Sequence, residues 1–270
     1  MTAEALTFVD SHAHLDDDQF ASDVDAVIKR AGDARVTRIV NIGYEADRGL
    51  PPVRLAEKYQ SISFTLGLHP SESDKFSLEL IDQLGDLAAR SGAVAIGEIG
   101  IDLFRDGPNL DLQRSSFAAQ LAVAQDLDLP VVIHQRAASD EVAAVLARTP
   151  SSLPCILHSF EGNRELLRLG VDRGYRFGIG GLMTRKRSEQ LRELIKLIPL
   201  ELMLLETDSP YLIPAGVKGN RNEPANIPTV AESLAALLDI PLSDVADTTS
   251  RNAIEIFRLD AVTPVGATMS

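Results

Sequence analysis

The sequence contains five histidines, and each lies at or just beyond the end of a short apolar run. His12 and His14 follow a run at 7–10, and His69 follows one at 62–67. His134 and His158 end runs at 131–134 and 155–158. The His12-Ala13-His14 pair is the sharpest of these features. In extended chain, residues i and i+2 point to the same side, so both imidazoles face one centre. Imidazole nitrogens with carboxylates are the donor set of a divalent cation. Glu98 closes a run at 93–98 inside Gly97-Glu98-Ile99-Gly100-Ile101-Asp102. Its flanking glycines let backbone crowd around it. A charge there needs either an ion pair, for which Arg105 is the candidate, or a cation. A carboxylate bridging two cations is the natural role. In Glu206-Thr207-Asp208 the two acids again share a side, with Asp208 further out, where it can bind a cation and accept a proton from water. Glu206 is then an orienting or a structural partner. Two divalent ions on such a set suit hydrolysis, because they acidify water and polarise an ester oxygen. No Ser-His-Asp or Cys-His arrangement competes, and the lone Cys155 reads as a small core residue.

The elements that must position these groups form one repeated unit: an apolar, β-branched run, a loop, then a helical pattern. The runs fall at 7–10, 36–42, 62–67, 93–98, 131–134, 155–158, 175–179 and 202–206. Continuous apolar runs of this length read as parallel strands buried on both faces. Apolar spacings of three and four predict helices over 23–31, 77–89, 113–124 and 189–198. Two more are expected over 229–238 and from Pro241 to about 257, with Ser243 as the N-cap. Eight strands alternating with helices favour a closed (β/α)8 TIM barrel over an open doubly wound sheet, and no glycine-rich turn follows the first run. The histidines then sit at the C-terminal strand ends, the face that carries active sites in this architecture. The whole of 1–259 reads as one metal-dependent hydrolase domain, with a flexible tail at 260–270.

The loops after the last two strands carry Arg185-Lys186-Arg187 and Lys218 to Arg221. Such loops often form a phosphate site in barrels. Arg185, Lys186 and Arg221, with His69 and Arg136, are the candidate substrate-binding residues. A solvated helix start is the plain alternative for the 185–187 cluster.

Composition narrows the choices. Of 270 residues, 45% are hydrophobic and 24% charged, with a net charge of −13. That charge argues against coating long stretches of duplex DNA, which depends on neutralising phosphates. It leaves nucleic acid open as a substrate gripped locally. Trp is absent and aromatic residues make up 5%, so an extended base-stacking platform is not expected. One cysteine permits no internal disulfide and fits a reducing compartment, so a cytoplasmic location is expected. No secretory signal or membrane-spanning run is read, and no obligate protein partner is evident.

Several stretches, in order, resemble the TatD family of metal-dependent deoxyribonucleases, a branch of the amidohydrolase-type TIM barrels. They are Asp10 to Leu15, Gly67 to Pro70, Gly97 to Asp102, Leu129 to His134, His158 to Phe160, Glu206 to Leu212 and Arg221 to Pro224. The resemblance runs from Asp10 to about Phe257. It implies cation ligation by His12, His14, Glu98, His134, His158 and Asp208, with Glu98 and Asp208 in catalytic roles. It implies two or more divalent ions, Mg, Mn or Zn, and 3′–5′ hydrolysis of phosphodiester bonds in DNA, on single strands or 3′ ends. Some relatives of the barrel act on carbonyls instead, so a metal-dependent deacylase or cyclic-amide hydrolase, for example on aminoacyl-tRNA esters, is the second reading. A nucleic-acid-binding module without catalysis is the third, and the complete ligand set argues against it. The chain departs from the family's usual pattern at Ala137, where an acid is common, at Ser159, where cysteine is common, and at Leu103-Phe104.

Overall fold

A computed structural model describes residues 6–43 and 50–259. The tail expected to fray at 260–270 lies outside these described residues. Eight parallel strands form one sheet in sequence order: β1 (Phe8–Ala13), β2 (Val36–Ile42), β3 (Ile62–Leu66), β4 (Ala95–Asp102), β5 (Val131–Arg136), β6 (Cys155–Leu157), β7 (Arg176–Ile179) and β8 (Met203–Leu205). Helices α1 (Val24–Asp33), α2 (Leu50–Lys58), α3 (Leu78–Ser91), α4 (Leu110–Asp126), α5 (Ser139–Leu146), α6 (Arg164–Arg173), α7 (Glu189–Ile195), α8 (Ile227–Leu238) and α9 (Leu242–Ile256) alternate with them. This is the eight-stranded barrel expected from the repeated unit. No helix among the described residues is long and apolar enough to cross a membrane.

The barrel closes along a seam between β1 and the residues after β8. Ala13 pairs with Ser209 in parallel. The Asp208 amide donates to the His12 carbonyl at 2.9 Å, and the His14 amide donates to the Ser209 carbonyl at 2.7 Å. Asp10 locks the same seam, accepting from the Thr207 amide at 3.0 Å and the Thr207 hydroxyl at 2.6 Å.

Val9, Val40, Ala95, Val132, Ile156 and Leu204 form a packed set inside the ring of strands, with Ala253 of α9 and Phe257 at its C-cap against it. α9 thereby plugs the end at which the strands begin. The period-two alternation of strands carries this inward face onward. Two residues beyond Val132, Ile156 and Leu204 stand His134, His158 and Glu206. The apolar plug and the polar site are successive layers of one barrel interior.

Three helices were not legible as helical patterns: α2, which opens Leu50-Pro51-Pro52, and the short α5 and α6. Ser243 is not an N-cap. Pro241 holds that position and Ser243 lies in the first turn of α9. Helix α8 begins at Ile227, two residues before the expected start.

Candidate metal centre

The structure gathers His12, His14, Glu98, His134, His158 and Asp208 at the C-terminal strand ends. His12 lies inside β1 and His14 one residue beyond it. His158 follows β6, and Asp208 stands three residues past β8. Two placements differ from the sequence reading. β5 continues past His134 to Arg136. Glu98 lies in the middle of β4, which runs on to Asp102, and a register irregularity between Ile96 and Ile99 turns it inward. Gly100 allows this crowding: a Cβ there would stand 2.0 Å from the His134 carbonyl oxygen.

Glu98 is the hub. Its Oε2 lies 3.6 Å from His12 Nε2 and 3.8 Å from His14 Nε2. Its Oε1 lies 2.7 Å from His134 Nδ1 and 3.8 Å from His158 Nε2. Asp208 Oδ1 stands 3.4 Å from His14 Nε2 and 3.7 Å from both His12 Nε2 and His158 Nε2. His12 Nε2 and His14 Nε2 are 3.3 Å apart. Ligand atoms about 2.1 Å from a tetrahedral cation stand roughly 3.4 Å from one another. The donor spacing therefore fits a cation cage. Arg105, the alternative partner for Glu98, is exposed on the cavity wall, and imidazoles face both Glu98 oxygens.

Neighbouring groups fix which imidazole nitrogen faces the cage. His14 Nδ1 lies 3.2 Å from the Ile42 carbonyl, so it donates there and leaves Nε2 its lone pair. His134 Nε2 meets Asp102 Oδ2 at 3.1 Å. His158 Nδ1 is 3.1 Å from Glu206 Oε1, and the same oxygen accepts from the Ser159 amide at 2.7 Å. Glu206 fits tightly because Gly178 lacks a side chain: a Cβ there would stand 2.0 Å from Oε2. The His12 and His158 rings stack at 3.4 Å. His12 Nδ1, His158 Nδ1 and Glu206 Oε2 are buried without a hydrogen bond of good geometry, so His158 and Glu206 meet as a charge pair.

His69 differs from the other four. It joins Glu98 and His134 in a set close enough to hold a cation. Its Nδ1, however, accepts the Ser71 amide at 3.1 Å. The neutral ring must then carry its proton on Nε2, which has no lone pair to give. Burial, then the charge of His134, pushes its pKa down to about 3. His69 is therefore a neutral N–H donor aimed at the centre, with Nε2 3.9 Å from Glu98 Oε1.

The electrostatics are those of a site built for positive charge. Burial works against ionising Glu98 and Asp208, yet the surrounding imidazoles hold both below the usual carboxylate range. Burial also opposes charge on His134 and His158. Asp102 and Glu98 outweigh it for His134, raised to about 9. Glu206 and Asp208 do so for His158, raised to about 10. Asp208 takes a left-handed φ of 55°, a strained conformation that aspartate tolerates better than most residues. Cys155 is buried in β6 with its thiol pushed up to about 12 by burial, which makes it inert.

The centre opens into a cavity of about 380 Å³ whose wall includes Arg105, Arg136, Arg185, Ser159, Glu161 and Tyr211. Of the candidate substrate contacts, His69, Arg136 and Arg185 face this cavity. Lys186 is exposed beyond its lining. Arg221 is elsewhere: it pairs with Asp23 at 2.9 Å and Glu223 at 2.7 Å and lies over the Phe20 ring. Asp102 and Tyr211 are not singled out by the sequence as site residues, and Arg105 is named there only as an ion-pair candidate for Glu98. Asp102 was findable, because it lies four residues beyond Glu98 on the same strand.

A family model described as TatD related DNase matches residues 9–258. The chain is 33% identical over 252 residues to the uncharacterized metal-dependent hydrolase YabD of Bacillus subtilis, covering 93% of this chain and 99% of that protein. It is 35% identical over 254 residues to the 3′-5′ ssDNA/RNA exonuclease TatD of Shigella flexneri, covering 92% and 98%. The crystal structure of YjjV, a TatD homologue from Escherichia coli, superposes with a TM-score of 0.86 at 35% identity, covering 93% of this chain and 98% of that one. With these matches over a barrel whose histidines and acids are placed to bind metal, the chain belongs to the TatD family of metal-dependent hydrolases.

Proposed function

We propose that the chain hydrolyses phosphodiester bonds in DNA as a 3′–5′ exonuclease acting on single strands or 3′ ends. Two or more divalent ions would be held by His12, His14, Glu98, His134, His158 and Asp208. The observation that carries this reading is the two-sided Glu98 carboxylate. One oxygen faces His12 and His14, the other faces His134 and His158, which is the arrangement of a bridging ligand. When bound, such ions acidify water and neutralise charge developing on a phosphoryl oxygen.

The chain's own groups divide the remaining work. Asp208, held ionised, accepts the proton of the attacking water. His69 donates its Nε2–H to a non-bridging phosphoryl oxygen and stays neutral across the working pH range. Arg105, Arg136 and Arg185 hold the phosphates at the cavity wall. Lys186 is left to a more distant phosphate of a longer strand, and Arg221 takes no part. Three guanidinium groups around the cavity favour an anionic substrate over a neutral cyclic amide. The single cysteine fits a cytoplasmic enzyme.

The test is hydrolysis of a 3′-labelled single-stranded oligonucleotide with Mg, Mn or Zn and with chelator, comparing the protein with Glu98→Ala. Stepwise shortening that chelator and Glu98→Ala both abolish is the expected result. Intact DNA with every metal, from protein that still binds metal, overturns the reading and turns the search to amide and aminoacyl-ester substrates.

A further inference from the structure

Among the described phenylalanines and tyrosines, only Phe104 and Tyr211 are exposed, at 66% and 44%. Tyr211 lines the metal cavity, and Phe104 packs on a residue that lines it. Tyr211 lies on its wall, with its ring 6.0 Å from the His14 ring and its hydroxyl donating to Asp17 at 2.8 Å. The Phe104 ring lies against the Arg136 guanidinium, 4.2 Å from its central carbon, and Arg136 faces the cavity.

Phe104 is anchored firmly to the centre. Asp102 Oδ1 accepts the amides of Phe104 at 2.9 Å and Arg105 at 3.1 Å. The other Asp102 oxygen touches His134. The Phe104 Cα thus lies at most roughly 7 Å from that of Asp102, a residue in contact with the cluster. Leaving a phenyl ring in water forgoes burial that would stabilise the fold. Here the ring is fixed at a cationic rim, one nucleotide's reach from the groups that would hold a phosphate.

We propose that Phe104 and Tyr211 are stacking positions for unpaired nucleobases on either side of the phosphate that enters the cavity. The proposal rests on the nuclease reading and names what that site selects: a strand whose bases are free to leave their own stack. A base in a duplex must first be unpaired and unstacked, so single strands and frayed 3′ ends are favoured. Every base presents a π face, so the site is tolerant of sequence. Arg136 serves both features, with its guanidinium plane under the Phe104 ring and its N–H groups available to the phosphate.

The experiment compares kcat/KM on a single-stranded oligonucleotide with that on the same strand made abasic at the nucleotides flanking the cleaved bond. The metal-loaded protein, Phe104→Ala, Phe104→Trp and Tyr211→Ala are used. Stacking measured by alanine substitution corresponds to a loss of about five- to hundredfold per base. Phe104→Ala is expected to lose activity in that range on the normal strand, chiefly through KM, and to match the parent on the abasic strand. Phe104→Trp restores the difference, and Tyr211→Ala behaves as Phe104→Ala does. Because Phe104 is exposed, its replacement leaves the fold intact, which thermal denaturation checks. If the parent protein cuts normal and abasic strands equally well, the stacking proposal is overturned while the nuclease reading stands. If it cuts neither strand, the nuclease reading fails and the stacking proposal fails with it.

Discussion

Glu206→Gln removes a charge while keeping the shape of the side chain, and its effect follows from the layer beneath the cation cage. The amide oxygen can still accept the Ser159 N–H, now made at 2.7 Å. That same oxygen still faces His158 Nδ1, but without its negative charge, and the amide nitrogen takes the place of the unpartnered Oε2. His158 then loses the carboxylate that favours its Nδ1–H form and leaves Nε2 for a cation. Losing such a partner weakens metal affinity about 10- to 100-fold, or about 1.4–2.7 kcal/mol. A second effect runs the other way. Glu206 is also a main reason that His158 holds its proton up to about 10, and a cation must displace that proton. At pH 7 the substitution eases the displacement and hides part of the loss. Near pH 10 the proton is already leaving, and the full loss appears. The assay is calorimetric metal titration of parent and variant at pH 7 and pH 10, with a visible spectrum of the cobalt-loaded forms as a check on geometry. A deficit that grows with pH is expected. Equal affinities at pH 10 would refute the assignment of Glu206 as the group that orients His158.

Other outcomes follow from the same geometry. Asp102→Asn is expected to weaken metal binding by about tenfold or more, because His134 loses a charged partner, while the retained oxygen still caps Phe104 and Arg105; metal titration and thermal denaturation separate the two effects. Gly100→Ala forces a Cβ to within 2.0 Å of the His134 carbonyl, so β4 and β5 must part, and urea denaturation should show a loss of about 1–3 kcal/mol or more. Metal binding near pH 7 should release about two protons, since His134 and His158 are raised to about 9 and about 10 in the metal-free protein; titration in buffers of different ionisation enthalpy counts them. Both folded-state values lie above the unfolded 6.5, so their contribution to the metal-free fold is full below that pH. It fades as pH rises toward 9–10, and denaturation of chelator-treated protein from pH 6 to 10 should show that decline.

The barrel is legible because several of its strands are continuous apolar runs, such as Val131 to Ile133 and Met203 to Leu205, whose burial on both faces leaves no polar alternation. The clustering of histidines at run ends was legible for the same reason: a polar residue closing an apolar strand stands out. What escaped depends on contacts that local pattern does not encode. Glu98 reads as a strand terminus because Gly97 and Gly100 interrupt the apolar run, yet those glycines are what let β4 continue beside β5. Arg221 reads as a phosphate contact because of its loop, but Asp23, 198 residues earlier, claims its guanidinium. The donor character of His69 is set by one backbone amide, that of Ser71, and imidazole chemistry alone does not reveal which nitrogen is free.

The seam between β1 and β8 ties the metal centre to the order in which the chain folds. It joins Ser11 to Leu205, positions 194 residues apart, and it places His12 and His14 beside Asp208. No partial barrel can hold the whole donor set, because one wall of the cage arrives with the last strand. A cation gripping both sides would act as a reversible clasp on a loop that spans most of the chain. A cross-link closing a loop of that size removes about 5 kcal/mol of freedom from an open chain. On the proposed ligand set, hydrolytic competence would be confined to molecules in which the ring has already shut.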